Sequence, residues 1–382
     1  MTAAVDKLVL RVRGRDHGGV LSATVSRSIE DFPSSFFLDL AEVYKGESNS
    51  LGIRTGDACE IRIGGDLVLT GYAERPRRTR TAGSISVSMT GRSKGCDLAD
   101  CSCVFSPAQW KRRTMTAIAR DLCEYYSIDV LDDVGLSDKI RRFSTEAGEK
   151  VYEALDRLAQ DQSVILMDNP AGDLVITRAP VGTAPVATIK PGHFISISVE
   201  TDASERFSEY RVKGNSAGTD EAYGASVAGI QAIILDDELD RPRVLVLKGK
   251  RQMDQASAKR RAIWEAVIRA GKSATVSLVM PGYRDGNGNL WEPNKIVRVD
   301  CPGDGVQADL VLKGVVYNHS NEGRTSDLVL VPQGAYEPVP PMTRRKGRIT
   351  KGIGQWEREF IGSLIGNATV NPDEWPELRG GG

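Results

Sequence analysis

The chain is poor in histidine and in aromatic side chains, and neither sign of charge is in excess. Its three histidines, His17, His193 and His319, stand far apart. None has a second histidine at metal-binding spacing and no His-Glu-x-x-His occurs, which removes the zinc-hydrolase pattern. No Gly-x-Ser-x-Gly nucleophile elbow is present. The members of a Ser–His–Asp triad scatter along a chain, so spacing is silent on that chemistry. Aromatics are 6% of residues, too sparse for a base-stacking platform. Lysine plus arginine total 50 against 51 acidic side chains, a formal net charge of -1, so no global field points to nucleic acid or an anionic membrane. No apolar run approaches the roughly 18 residues of a membrane span. The N-terminus, MTAAVDKLVLRVRG, lacks the basic-apolar-small order of a secretory signal, and folding in a cytoplasm is expected.

Six cysteines are present, three of them clustered as Cys96-x4-Cys101-x-Cys103. That is no standard zinc spacing and no histidine lies near it, so reduced, partly buried thiols are expected, with no metal and no cofactor. Two glycine-containing loops invite the same question. Gly14–Gly19 (GRDHGG) lacks the lysine and the length of a P-loop. In RDGNGN, Asp285, Asn287 and Asn289 alternate as calcium ligands do, but Leu290 and Lys295 stand where an EF-hand needs glycine and glutamate. Both loops read as turns.

What is present is an ordinary globular composition, 40% hydrophobic and 26% charged over 382 residues, enough for two to four domains. Residues 7–13 alternate, as do residues 84–90. Glu60–Ile63, Gly64-Gly65 and Asp66–Leu69 spell a tight hairpin, because a Gly-Gly pair supplies the positive φ of a two-residue turn. Further on, Thr114 caps a helix to about Tyr126 on Met115, Ile118, Leu122 and Tyr126. A second helix spans Glu149–Asp161 on Val151, Leu155 and Leu158. It leads into a hairpin of Val164–Met167 and Leu174–Thr177 around Asn169-Pro-Ala-Gly172. Strands follow at Phe194–Val199, Tyr210–Lys213 and Val244–Leu247. A helix then starts at Asp254, with Ala256, Ile263, Val267 and Ala270 as its stripe and Gly271 at the C′ position. From Glu337 the chain is rich in proline and glycine. There Trp356, Phe360, Ile361, Leu364 and Ile365 recur at near-helical spacing and Trp375 follows, so a short amphipathic segment that docks on a partner, or on its own subunit, is expected.

Early and late parts of the chain resemble each other. Asp66–Gly71 (DLVLTG) matches Asp309–Gly314 (DLVLKG), and Ile61-Arg62-Ile63 matches Val297-Arg298-Val299. Ser84–Met89 matches Ser326–Val331, and Phe36–Val43 matches Thr275–Pro281 in pattern and position. One small antiparallel unit thus occurs twice, at about 35–90 and 273–331, and short strands at this spacing fit a barrel or sandwich. The fold class expected is α+β, mostly antiparallel β, with two related small β-barrel domains and an α+β middle region. The divisions expected are 1–95 (first β-barrel domain), 96–200 (two helices plus a hairpin), 201–272 (a connecting β/α segment), 273–336 (the second barrel, repeating the first) and 337–382 (the tail).

Several segments, taken in order, resemble the Mu-type baseplate hub proteins of the tail-hub family of contractile-tailed phages. They are Val25-Ser-Arg-Ser-Ile-Glu30, Leu67–Tyr72 (LVLTGY), Gln109-Trp110-Lys111, Ile118–Cys123 (IARDLC), Val151-Tyr-Glu-Ala-Leu155, Ala171-Gly-Asp-Leu174, Arg206-Phe-Ser-Glu-Tyr210 and Val212-Lys213-Gly214. None is a catalytic motif; their number, order and spacing carry the match, which runs to about residue 335. The resemblance implies a homotrimeric ring in the virion's tail baseplate, assembled in the host cytoplasm. Such a ring joins tail tube proteins to a central spike protein beside other baseplate proteins, and DNA passes through it without specific binding. The hub module of type VI spike proteins is related, so a subunit of another contractile injection system is an alternative. A tail-associated cell-wall hydrolase is a second one; it needs two carboxylates across a cleft, and no stretch of domain size is left over to supply them. No enzymatic activity is expected. The channel wall is expected to be neutral or acidic, since a basic one would hold DNA phosphates by counterion release.

Overall fold

The computed structural model describes residues 6–336 apart from 18, 42, 45–46, 49–52, 82–84, 215–229, 237–238 and 249–254. The docking residues expected in the tail, Trp356, Phe360, Ile361, Leu364, Ile365 and Trp375, lie outside the described residues. The chain divides into two compact units, Met1–Val199 with Thr275–Gln333, and Glu200–Ala274 with Gly334–Gly382.

The first unit is built on one 13-stranded sheet. Its early strands lie in the order Val20–Ser28, Ser35–Ala41, Ile85–Ser93, Asp66–Arg80, Ala58–Ile63, Leu8–Val12. Its late strands lie in the order Ser196–Thr201, Ala274–Pro281, Gly323–Pro332, Val306–Ser320, Ile296–Cys301, Ala187–Ile189. The two orders correspond strand for strand. They differ at the last position: Leu8–Val12 pairs antiparallel and Ala187–Ile189 parallel. Alternation decides which face is buried. Leu8, Leu10 and Val12, or Phe36, Leu38 and Leu40, join Leu278, Tyr317 and Leu328 in a single apolar core. The Gly64-Gly65 turn forms as expected, both residues at positive φ.

Hydrogen-bonded closure of either repeat into a barrel is not found among the described pairings. The far half of Val306–Ser320 instead pairs with Val20–Ser28 of the other repeat, from Gly314 opposite Ser28 to His319 opposite Ala23. An edge that would be needed for closure is used to join the repeats. The motif that betrayed the repeat is out of register with it. Against Ile85–Ser93 and Gly323–Pro332 respectively, each long strand carries one ladder irregularity, at Glu74 in the first repeat and Lys313 in the second; Asp66–Arg80 has another at Val68, against Ala58–Ile63. Gly71 lies before the one and Gly314 after the other, so the two DLVLxG words do not occupy equivalent places.

The middle region, also in the first unit, has its own core. Thr114 caps the helix Met115–Cys123, its hydroxyl accepting the Ala117 N–H at 3.3 Å. The second helix is Val151–Gln162, starting after Glu149 because that carboxylate accepts the Glu146 N–H at 2.9 Å and an Arg157 N–H at 2.8 Å ahead of the first turn. Ile165–Asp168 and Leu174–Thr177 form the hairpin, and Val130–Asp132 adds parallel to the latter.

In the second unit Glu209–Gly214 runs between Ile230–Leu235, antiparallel, and Val244–Lys248, parallel. The helix Gln255–Lys272 covers one face. Two expectations fail here. The buried stripe is Ala258, Ala262 and Glu265, rather than one centred on Ile263 and Val267. Alanines let the helix lie close on the sheet, and Glu265 tolerates burial because Arg261 and Arg269 pair with it at 2.5 and 3.3 Å. Gly271 is inside the helix rather than beyond it. A Cβ there would run into the backbone of Gly334 and Ala335, so close packing rather than capping requires glycine. Arg206 and Tyr210, from one of the quoted motifs, are structural. Arg206 makes a two-pronged pair with buried Asp236 at 2.6 and 2.8 Å, and the Tyr210 hydroxyl accepts the Phe207 N–H at 3.1 Å.

Candidate assembly surface

The sheet's two faces differ in chemistry. Directly paired residues share a face, so on the side away from the core lie Thr24, Ser26, Val316 and Asn318 at the joint between repeats. Phe37, Asp39, Ser86, Ser88 and Thr90 continue that face in one direction, and Thr325, Asp327 and Ser277 in the other. Short hydrogen bonds knit it together. The Thr24 hydroxyl donates to the Asn318 Oδ1 at 3.4 Å, Asn318 Nδ2 donates to Asp327 at 2.8 Å, and Ser22 donates to Asp39 at 2.7 Å. On the core side of the same joint Tyr317 is fully buried. Its ring meets Tyr283 edge to face and its hydroxyl donates to the Trp291 carbonyl, while burial raises its pKa.

Three side chains that sequence patterns did not single out lock this surface. Arg284, in the expected RDGNGN turn, reaches into the first repeat. It pairs with Asp6 at 2.9 Å and Asp66 at 2.8 Å and donates to the Ile63 carbonyl at 3.3 Å. The neighbouring Asp285 carboxylate accepts the Asn287 and Asn289 N–H groups, each at 2.9 Å, which is turn chemistry. Buried Asp168, on the middle-region hairpin, accepts the Ser34 N–H at 2.9 Å, the Ser34 hydroxyl at 2.6 Å and the Ser93 hydroxyl. It thereby ties that hairpin to the first repeat. Asn294 donates to Thr177 at 3.2 Å and to the Arg178 carbonyl at 3.0 Å, tying the other end of the hairpin to the second repeat. The only sequence signal for these contacts is a charged or amide residue beside a turn or strand end.

Residues weighed for chemistry do not converge. His17 and His319 sit on different strands, and burial lowers the pKa of both. All six cysteines are free. Burial pushes Cys96 and Cys123 up to about 12 and Cys103 to about 11, so these thiols stay protonated and weakly nucleophilic. Among the described residues no histidine, cysteine and carboxylate group is arranged to hold a metal, and no helix is long and apolar enough to cross a membrane.

Residues 7–93 match the family "Mu phage baseplate assembly protein GpP-like, N-terminal", residues 95–178 "Baseplate hub protein gp44-like, second domain", and residues 254–339 "Mu phage baseplate assembly protein GpP, fourth domain". The baseplate hub protein gp44 of Escherichia phage Mu is 33% identical over 350 residues, covering 89% of this chain and 91% of that protein. The chain belongs to the Mu-type baseplate hub family. Its place is therefore the phage tail, where it serves as a structural component of the baseplate hub and associates with other baseplate or spike proteins. Among solved structures, the 43 kDa tail protein of prophage MuSo2 from Shewanella oneidensis superposes with a TM-score of 0.76 at 27% identity, over 87% of this chain and 99% of that one. An E. coli component of the type VI secretion system superposes with a TM-score of 0.52 at 12% identity, over 88% of this chain and 80% of that one. That likeness extends the fold to injection machines. In this hub protein the two repeats are one sheet, and the middle region is fastened to both of them.

Proposed function

We propose that three copies of this hub protein close a ring that joins the tail tube to the central spike and surrounds the DNA exit channel. The observation that carries the proposal is the shared strand order of the two repeats. Three chains with two like units each offer six similar positions, so the ring can meet a sixfold tube on one side and a threefold spike on the other. The polar face of serine, threonine, asparagine and aspartate is the channel wall. Arg75 and Arg77, paired with Thr90 and Ser88, are the cationic side chains at its margin, and it presents no base-reading constellation. The tail, through Trp356, Phe360, Ile361, Ile365 and Trp375, docks on a neighbouring baseplate or spike protein. The five divisions of the chain act as two ring-forming units, a middle brace, a connecting segment and this docking arm. The protein works without enzymatic activity, a reading supported by protonated thiols and dispersed histidines. It is made and assembled in the host cytoplasm.

Light scattering on the purified protein, alone and mixed with its spike protein, tests the ring. A mass of three times 41.5 kDa is expected. A monomer or dimer under both conditions would overturn it.

A further inference from the structure

In the middle region, the two-stranded ribbon of Gln109–Thr114 and Lys139–Ser144 departs from the chain's balance of charge. Six of its twelve residues are lysine or arginine and none is acidic. All six, Lys111, Arg112, Arg113, Lys139, Arg141 and Arg142, are exposed. The paired Trp110 and Phe143 are buried instead. Trp110 stacks on Phe105 at 4.9 Å, its Nε1 donates to Asp121 at 2.8 Å, and the Arg157 guanidinium lies 5.0 Å over the Phe143 ring. The ribbon is thus a cationic platform anchored on the middle-region core.

The arrangement works against the stability of the subunit. Lys111 lies directly opposite Arg142, where like charges repel. The ladder skips the next pair, Arg112 and Arg141. Arg112 there takes a left-handed φ of 53°, in which a Cβ crowds the backbone. Arg113 pairs with Asp121 at 3.2 Å, and the Arg142 guanidinium donates to the Gln109 Oε1 at 3.5 Å. Among the described residues no carboxylate pairs with the other five cations. An incoming set of anions would relieve the repulsion, and planar guanidinium groups suit two-pronged contacts with carboxylate or phosphate. The ribbon's borders decide between these. Asp121 and exposed Asp138 close one end, and exposed Glu146 lies beyond the other. The cationic area is an island about 20 Å long, at roughly 3.3 Å per residue. A DNA duplex carries a charge about every 1.7 Å of its axis without a break, and would meet these carboxylates on leaving the island. A compact acidic patch on a folded protein would not.

We propose that this ribbon docks on a compact, carboxylate-rich patch of a neighbouring baseplate or spike protein, with Lys111, Arg141 and Arg142 at the centre of the contact. The proposal needs the hub's association with such proteins and does not depend on the threefold ring. The rival account is that the charges only blunt the open edges of a two-stranded sheet against stray pairing.

Charge reversal separates the two accounts, because the subunit and the assembly should respond in opposite directions. Arg142→Glu sets a carboxylate opposite Lys111, so the thermal unfolding of the purified full-length protein should move up or stay level. In cells making the whole set of tail proteins, the same variant should yield about tenfold fewer complete tails or less, with the hub left unassembled. The neutral double variant Lys111→Gln, Arg142→Gln should lose tails in the same direction but less steeply, and it decides the matter if the charge-reversed chain folds poorly. Light scattering should give both variants the wild-type mass. Complete tails at wild-type yield from both variants overturn the proposal. Tails normal in number that no longer deliver DNA overturn it too, by making DNA the ribbon's ligand. A changed mass places the ribbon among the hub's contacts with its own copies, which also overturns the docking and leaves the ring standing.

Discussion

The two repeats share their strand order and differ in what their long strands do after the irregularity. In the second repeat that half is buried: Val315 and Tyr317 point into the core and Gly314 to Asn318 pair with another part of the same chain. In the first repeat the equivalent half is Arg75-Pro76-Arg77-Arg78-Thr79-Arg80, with all but Pro76 exposed. One architecture carries two long-strand halves, one apolar and buried within the subunit and one charged and exposed. An apolar open edge would invite pairing with any strand, and a charged closed one would bury unpaired guanidinium groups.

Substitutions in the two halves sharpen the contrast. Tyr317→Ala removes a buried ring and its hydrogen bond, and should cost about 3–5 kcal/mol in denaturant unfolding. Arg77→Ala, on the exposed half of the first repeat's long strand, should stay within about 0.5 kcal/mol. Near-equal losses would mean that the two halves are equally buried in solution.

The motif glycines come next. A Cβ at Gly71 would overlap the Arg92 carbonyl, whereas at Gly314 it meets nothing nearer than 3.4 Å. Gly71→Ala should therefore destabilise by about 2–3 kcal/mol, and Gly314→Ala by less than about 1 kcal/mol. Equal effects would show that the DLVLxG words are structurally equivalent after all.

The smallest effect is on pH. His319 lies in the joint opposite Ala23, and burial, with Arg324 nearby, holds its pKa below the ordinary 6.5. The unfolded state therefore binds the proton first. Stability is full above about 6.5 and falls as pH drops toward the folded pKa. His319→Gln should flatten part of that decline in melts between neutral and mildly acidic pH; an unchanged slope would place the sensitivity elsewhere, with His17 the next residue to change.

Much of this was legible locally. Gly64-Gly65, the Thr114 cap and the Asn169–Gly172 turn each state their conformation within a few residues. The repeat was visible because strand lengths and turns recur. Its register was not, because a four-letter apolar word fits any buried strand while the irregularities at Glu74 and Lys313 are set by ladder geometry. Pairing partners were the least legible. Nothing in Val20–Ser28 says that it lies against Gly314–His319, and nothing near Asp168 names Ser34 and Ser93. These choices are made by tertiary packing across long separations. The helix Gln255–Lys272 misled for a related reason: alanines and an arginine-paired glutamate face its sheet, so hydrophobicity pointed to the wrong stripe.

The most direct test is a cryo-electron microscopy reconstruction of the protein assembled with its spike. The account predicts a ring of six similar sheet units, alternating between two kinds about a threefold axis, with the two units of each copy joined by the pairing of Val306–Ser320 with Val20–Ser28. A ring in which the two repeats lie at different radii, or one without threefold symmetry, would contradict it.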